Sequence, residues 1–171
     1  MRFSLENWSA EYIPSLAESA DDARIGQYLA PIFPYPYTRT DAKRFVDAVL
    51  NDVRDVYRAI VCEGRAVGCV SLVRLKDEKS HAFSLGYWLT PSLWGQGIVT
   101  RAVREICRFA FETTGVFRIQ AEVFAENAAS HRVLQKCGFV QEGVLRGGVQ
   151  KDGAYFDTFV YALLKSDASQ K

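Results

Sequence analysis

Residues 127–139 read Asn-Ala-Ala-Ser-His-Arg-Val-Leu-Gln-Lys-Cys-Gly-Phe, and they constrain their surroundings more than any other stretch of the chain. They describe one short helix with both ends specified. Asn127 suits an N-cap, because its side-chain oxygen can accept a first-turn N–H. Gly138 stands where a helix stops in the left-handed conformation, and Phe139 supplies the apolar contact that follows such a stop. Asn127, Ser130 and Leu134 share a face at spacings of three and four. Two uncharged polar side chains therefore point one way at a helix start, where backbone N–H groups are also free. That is a place for a ligand with acceptor atoms.

The elements around this helix are legible by period and punctuation. Residues 2–8 alternate as a first strand. Residues 11–29 carry apolar positions at helical spacing, as two short helices with Pro14 in the first turn. Residues 31–37 hold three prolines and form an irregular loop. Thr38 or Thr40 then caps a helix to about Val56, with Phe45, Val46, Val49, Leu50 and Val53 as its apolar stripe. Residues 57–62 and 66–75 form a hairpin, 81–90 a further strand, and 100–114 a helix stopped by Gly115. Residues 117–124 make a strand before the Asn127 helix. Residues 140–150 and 155–164 close the chain as a hairpin, with fraying expected from about Ser166. This order predicts an α/β fold of one domain over residues 1–171, with a mixed, mostly antiparallel sheet and one parallel crossover.

Charge and composition remove several function classes. The 171 residues carry a formal net charge of +1, so no basic excess calls for nucleic acid. No apolar run suits a membrane span or a signal peptide, and the chain reads as cytoplasmic. Cys62, Cys69, Cys107 and Cys137 show no C-x-x-C pairing, and neither His81 nor His131 stands in metal-ligand spacing to them. We expect reduced, core-side cysteines and no metal.

Trp94-Gly-Gln-Gly-Ile-Val99 lies between a strand and a helix. Two glycines there let the backbone aim several N–H groups at one point, and a helix N-terminus favours phosphate oxygens. The nucleotide P-loop signature is absent. Val99 brings a branched side chain that would hinder close approach of a phosphate, unless its place in the stripe Val99–Val103–Ile106–Ala110 directs it to the core; the stripe favours the core.

Taken together, N-x-x-S-x-x-V-L-x-K-x-G-F over residues 127–139 and Trp94-Gly-Gln-Gly-Ile-Val99 resemble the acetyl-CoA motifs of the GNAT N-acetyltransferases. The likeness is to the branch of ribosomal-protein N-terminal-alanine acetyltransferases, and residues 84–90 and 142–165 also resemble it. Trp94 and Val99 depart from the commoner Gln or Arg and Gly or Ala. The resemblance implies direct acetyl transfer from acetyl-CoA to a primary amine. It implies donor contacts from Trp88, Leu89, Thr90, Gly95, Gln96, Gly97, Ile98, Val99, Thr100, Asn127 and Ser130. Leu89 would offer a backbone N–H to the oxyanion, and Ser130 would assist the departing thiolate in place of the tyrosine that many relatives carry on this helix. Glu122 is a base candidate, with Asp157 and Glu126 as alternatives; His131, about 100° around the helix from Ser130, is expected to be exposed. Phe33, Tyr35 and Tyr37 would rim the acceptor entrance. The expected partner is a protein or peptide N-terminus, or else a small amine such as a polyamine, amino acid or antibiotic, for a monomer or homodimer. A regulatory protein that binds acyl-CoA without catalysis is the remaining alternative.

Overall fold

In the computed structural model, which describes residues 2–30 and 32–168, seven strands form one sheet in the order β1-β2-β3-β4-β5-β7-β6. The strands are β1 (Ser4–Glu6), β2 (Val56–Cys62), β3 (Arg65–Arg74), β4 (Ala82–Leu89), β5 (Arg118–Phe124), β6 (Val140–Lys151) and β7 (Ala154–Leu164). The helices are α1 (Ile13–Ala20), α2 (Ala23–Gly26), α3 (Arg39–Leu50), α4 (Ile98–Thr113), α5 (Ala128–Lys136) and α6 (Lys165–Ala168). Every neighbouring pair is antiparallel except β4 and β5. The exception follows from the connection: α4 carries the chain back across one face, as a parallel crossover requires. The β2–β3 and β6–β7 hairpins turn at Glu63-Gly64 and Asp152-Gly153, with positive φ at both central residues.

The sheet separates two cores. On one face α4 and α5 bury Ile98, Val103, Ile106 and Leu134 against Phe83, Leu85, Leu89, Ile119 and Val123. On the other, α1 and α3 bury Leu16, Ala20, Ala42 and Val46 with Trp8 and Tyr37 against Ala59, Val61, Ala66 and Cys69. Side chains alternate along each strand, so adjacent residues of β4 and of β5 serve different faces.

Several boundaries differ from the sequence expectation. Helix α3 ends at Leu50, not near Val56, and Leu50 and Val53 are 56% and 95% exposed. Asp52 is the cause: its carboxylate accepts the N–H groups of Arg54 and Asp55, a turn that competes with further helix. Helix α4 begins at Ile98, ahead of Thr100, because Gly97 itself forms the N-cap. Strand β1 is shorter than residues 2–8. Ser166 to Ala168 lie in α6 rather than frayed, while Pro31 and residues 169–171 are outside the described residues.

Thr38 is the cap of α3, in a reciprocal box with Asp41: the Asp41 N–H donates to Thr38 Oγ1 at 3.2 Å, and the Thr38 N–H to Asp41 Oδ2 at 3.0 Å. Thr38→Ala is expected to cost about 1 kcal/mol of stability. Urea unfolding checks this as a lower midpoint with an unchanged slope.

Candidate active site

Strands β4 and β5 pair only from Ala82–Arg118 to Ser84–Gln120. Beyond that they part and leave a cleft of about 660 Å³. The Thr90 N–H donates to Val67 O at 2.8 Å, and the Leu75 N–H to Ala82 O at 3.0 Å, with no register break between them. Even-numbered residues of β4 therefore bond to β3. The peptide groups of Leu85, Tyr87 and Leu89 face the opening instead. The Leu89 N–H thus points into the wedge, while its carbonyl accepts Trp94 Nε1 at 2.7 Å. That bond gives Trp94 a structural reason: its indole pins the turn after β4.

Gly95 and Gly97 have φ of 78° and 71°, which a side chain would resist. No side chain caps α4. The N–H groups of Ile98, Val99 and Thr100 have no partner within the helix ladder and open on the cleft. They stand at the positive end of a 16-residue helix. An anionic group is favoured there, and the donors come from backbone. Ile98 is buried, and Val99 is half-buried, packed against the core at the border of the cleft. Gly95, Gly97, Ile98, Val99 and Thr100 line the cleft with Trp88, Leu89, Asn127 and Ser130. Thr90 and Gln96 do not; the Thr90 N–H is spent on Val67 and Gln96 is exposed.

At the start of α5 the Asn127 side chain accepts the Ser130 N–H at 3.1 Å. Ser130 faces the cleft half-buried. A second hydroxyl, missed by sequence reasoning, joins it. Tyr87 lines the same cleft, and its phenol lies 3.5 Å from the Ser130 carbonyl. Burial pushes the Tyr87 pKa above the usual tyrosine range, so the phenol keeps its proton at neutral pH. The strand alternation could have suggested Tyr87, once it was known which face α5 covers.

His131 is not exposed. Its ring lies between the helix and the sheet, with Nε2 at 3.1 and 3.2 Å from the carbonyls of Phe124 and Ala125 and Nδ1 at 3.0 Å from Tyr161 Oη. Two carbonyl partners require the proton on Nε2. The residue buttons α5 to the end of β5, and helical spacing held no hint of that.

On the opposite face stand Trp88, Glu122 and Phe124. Of the three candidate carboxylates only Glu122 lines the cleft. Its Oε1 accepts a hydrogen bond from Thr158 at 2.5 Å. Asp157 is engaged elsewhere, accepting the Gly147 N–H at 2.7 Å, and Glu126 is exposed outside the cleft. The three aromatic residues expected to rim the acceptor entrance lie off this cleft. Tyr37 is buried, Phe33 stacks between it and Trp88, and neither lines the cleft. Tyr35 is 62% exposed and also lies off it. Phe33 and Tyr37 are spent on the second core, while Ile32 stays exposed like Tyr35. The wall comes instead from α2 and the segment after it: Tyr28 packs on Phe124 at 5.7 Å, and Arg24 lies over the Trp94 ring at 5.9 Å. Lys151, at the tip of the final hairpin, holds this segment by donating to the carbonyls of Gly26, Gln27 and Leu29.

Cys62, Cys69 and Cys107 are buried and Cys137 is half-buried, all as free thiols. Burial pushes Cys69 up to about 12, which suits packing rather than nucleophilic chemistry. Among the described residues no three His, Cys, Asp or Glu side chains come together as a metal group. No helix there is long and apolar enough to cross a membrane.

Residues 2–140 match the family model described as acetyltransferase (GNAT) domain. A probable N-acetyltransferase of Bacillus subtilis, YjcK, is 37% identical over 108 residues, which are 63% of this chain and 60% of that protein. A putative ribosomal N-acetyltransferase of the same organism, YdaF, is 30% identical over 116 residues, 68% of this chain and 63% of that protein. The chain thus spans less than two thirds of these curated relatives. Among solved structures, RimL, a ribosomal L7/L12 alpha-N-protein acetyltransferase in complex with coenzyme A, superimposes with a TM-score of 0.85. That match covers 95% of this chain and 93% of RimL at 22% identity, a likeness of fold.

Proposed function

The chain belongs to the GNAT acetyltransferase domain family, and from that premise we propose that it transfers the acetyl group of acetyl-CoA to the N-terminal α-amine of a protein or peptide. The observation that carries this reading is the wedge itself, open on both faces of the sheet. A donor can enter on the α4–α5 face, with its diphosphate at the free N–H groups of residues 98–100. An acceptor can reach the same opening from the face of Trp88, Glu122 and Phe124.

Transfer needs a neutral amine. Glu122, directly or through a water, takes the amine's proton as the C–N bond forms. The Leu89 N–H, fixed by the sheet ladder, meets the developing oxyanion. As the C–S bond breaks, the hydroxyls of Tyr87 and Ser130 stand on the donor face to donate to the thiolate sulfur. Solvent restores their proton afterwards.

The acceptor follows from proton affinity and from kinship. An α-amine has a pKa of about 7.7–8.0, against about 10.4 for a lysine side chain, so one partly exposed carboxylate suffices for the former. YdaF and RimL, whose names state ribosomal or α-N-protein acetylation, support the same substrate class. Mass spectrometry on a panel of short peptides with free N-termini is the test. Acetylation at the terminus is the expected result. Modification of lysine side chains alone, or of free small amines alone, overturns the acceptor. Acetyl-CoA binding without release of CoA on any amine overturns catalysis.

A further inference from the structure

Aromatic residues and cysteines aside, Thr158 and Ser15 are the buried polar side chains among the described residues. Ser15 has a structural account: it donates to the Tyr12 carbonyl and accepts the Ala66 N–H. Thr158, on β7 and only 1% exposed, has its hydroxyl on Glu122. The sheet register makes them diagonal neighbours on one face, since Glu122 lies opposite Val160 and Phe124 opposite Thr158.

The edge strand is shaped around the same hydroxyl. The β6–β7 register shifts between Leu145 and Val149, where Gly147 takes a φ of 60° and gives its N–H to Asp157. This bulge brings Gly148 down on Thr158. A Cβ at position 148 would lie 2.7 Å from Thr158 Oγ1 and 2.9 Å from Leu145 Cβ, so only glycine fits without displacement. An ordinary buried hydroxyl is satisfied by a nearby carbonyl. This one reaches the carboxylate that borders the cleft.

We propose that Thr158 is a positioning residue for Glu122: it fixes one carboxylate oxygen and leaves the other to take the proton of the acceptor amine. The proposal rests on Glu122 acting as the base. Hydrogen bonds to charged groups are the stronger ones, and a misplaced base costs turnover rather than donor binding.

Steady-state rates of Thr158→Val, Thr158→Ser, Glu122→Gln and the Glu122→Gln/Thr158→Val double variant test it. Thr158→Val is expected to lower kcat about tenfold or more with the acetyl-CoA KM unchanged. Thr158→Ser, which keeps the hydroxyl, is expected to restore most of the rate. In the Glu122→Gln background Thr158→Val is expected to cost nothing further. Gly148→Ala, which pushes on the hydroxyl from β6, gives an independent reading should Thr158→Val fail to fold, with the same fall in kcat expected. A slow Glu122→Gln beside a fully active Thr158→Val overturns the positioning role alone. Losses that multiply in the double variant overturn it too, since they reveal a separate packing effect. Wild-type turnover in Glu122→Gln removes the base and the proposal together.

Discussion

Gly97→Asp is expected to weaken acetyl-CoA binding about a hundredfold or more while leaving the protein folded. At position 97 a carboxylate would stand beside the free N–H groups of α4, where the donor's diphosphate is placed. Like charges about 4 Å apart repel by about 4 kcal/mol at the effective dielectric of a protein surface. The carboxylate would also accept those N–H groups itself, as an N-cap does, and so compete for the donors. Gly97→Ala is the control. It carries the cost of left-handed backbone, about 1–2 kcal/mol, without the charge. It is expected to lower stability and spare most of the affinity, since open space surrounds a Cβ there. Calorimetry on the two variants separates these effects. An Asp variant that binds as tightly as the Ala variant would place the diphosphate elsewhere.

Removing both donor-face hydroxyls, by Tyr87→Phe with Ser130→Ala, is expected to lower kcat by about 10²–10⁴-fold, the range of general-acid assistance. Each single variant is expected to lose less, because both residues line the same cleft and one hydroxyl can cover for the other. Acetyl-CoA affinity is expected to persist, since neither hydroxyl serves the diphosphate end. Single-turnover measurements keep product release from masking the loss. A double variant with wild-type single-turnover rates would remove both hydroxyls from the mechanism.

The donor side was more legible in the sequence than the acceptor side, for a physical reason. Backbone N–H groups at a helix start bind phosphate, and what builds such a start is local: Gly95, Gly97 and the amphipathic run after them, or Asn127 followed by Gly138 at its helix spacing. The acceptor side is assembled from segments far apart in the chain. Tyr28 meets Phe124, and Lys151 meets the carbonyls of residues 26, 27 and 29. No local pattern encodes such meetings. The packing of the aromatic proline loop was hidden for the same reason: α1, α3 and Trp88, distant in the chain, take up the surfaces of Phe33 and Tyr37. Tyr87 and His131 were missed because pairing with α5 and with β7 decides what they touch. Val99 falls between the two expectations for it, half-buried against the core and still at the border of the cleft.

The alternation of side chains in β4 and β5 bears on how such a protein acquires new substrates. Trp88, Glu122 and Phe124 lie on the face proposed for the acceptor; Tyr87, Leu89 and Val123, one residue away in each strand, lie on the face proposed for the donor. A substitution at one set leaves the other set's contacts in place. Selection can therefore exchange the amine while the shared donor is retained, and mutational libraries confined to every second position of the wedge should yield altered acceptors at little cost in acetyl-CoA use.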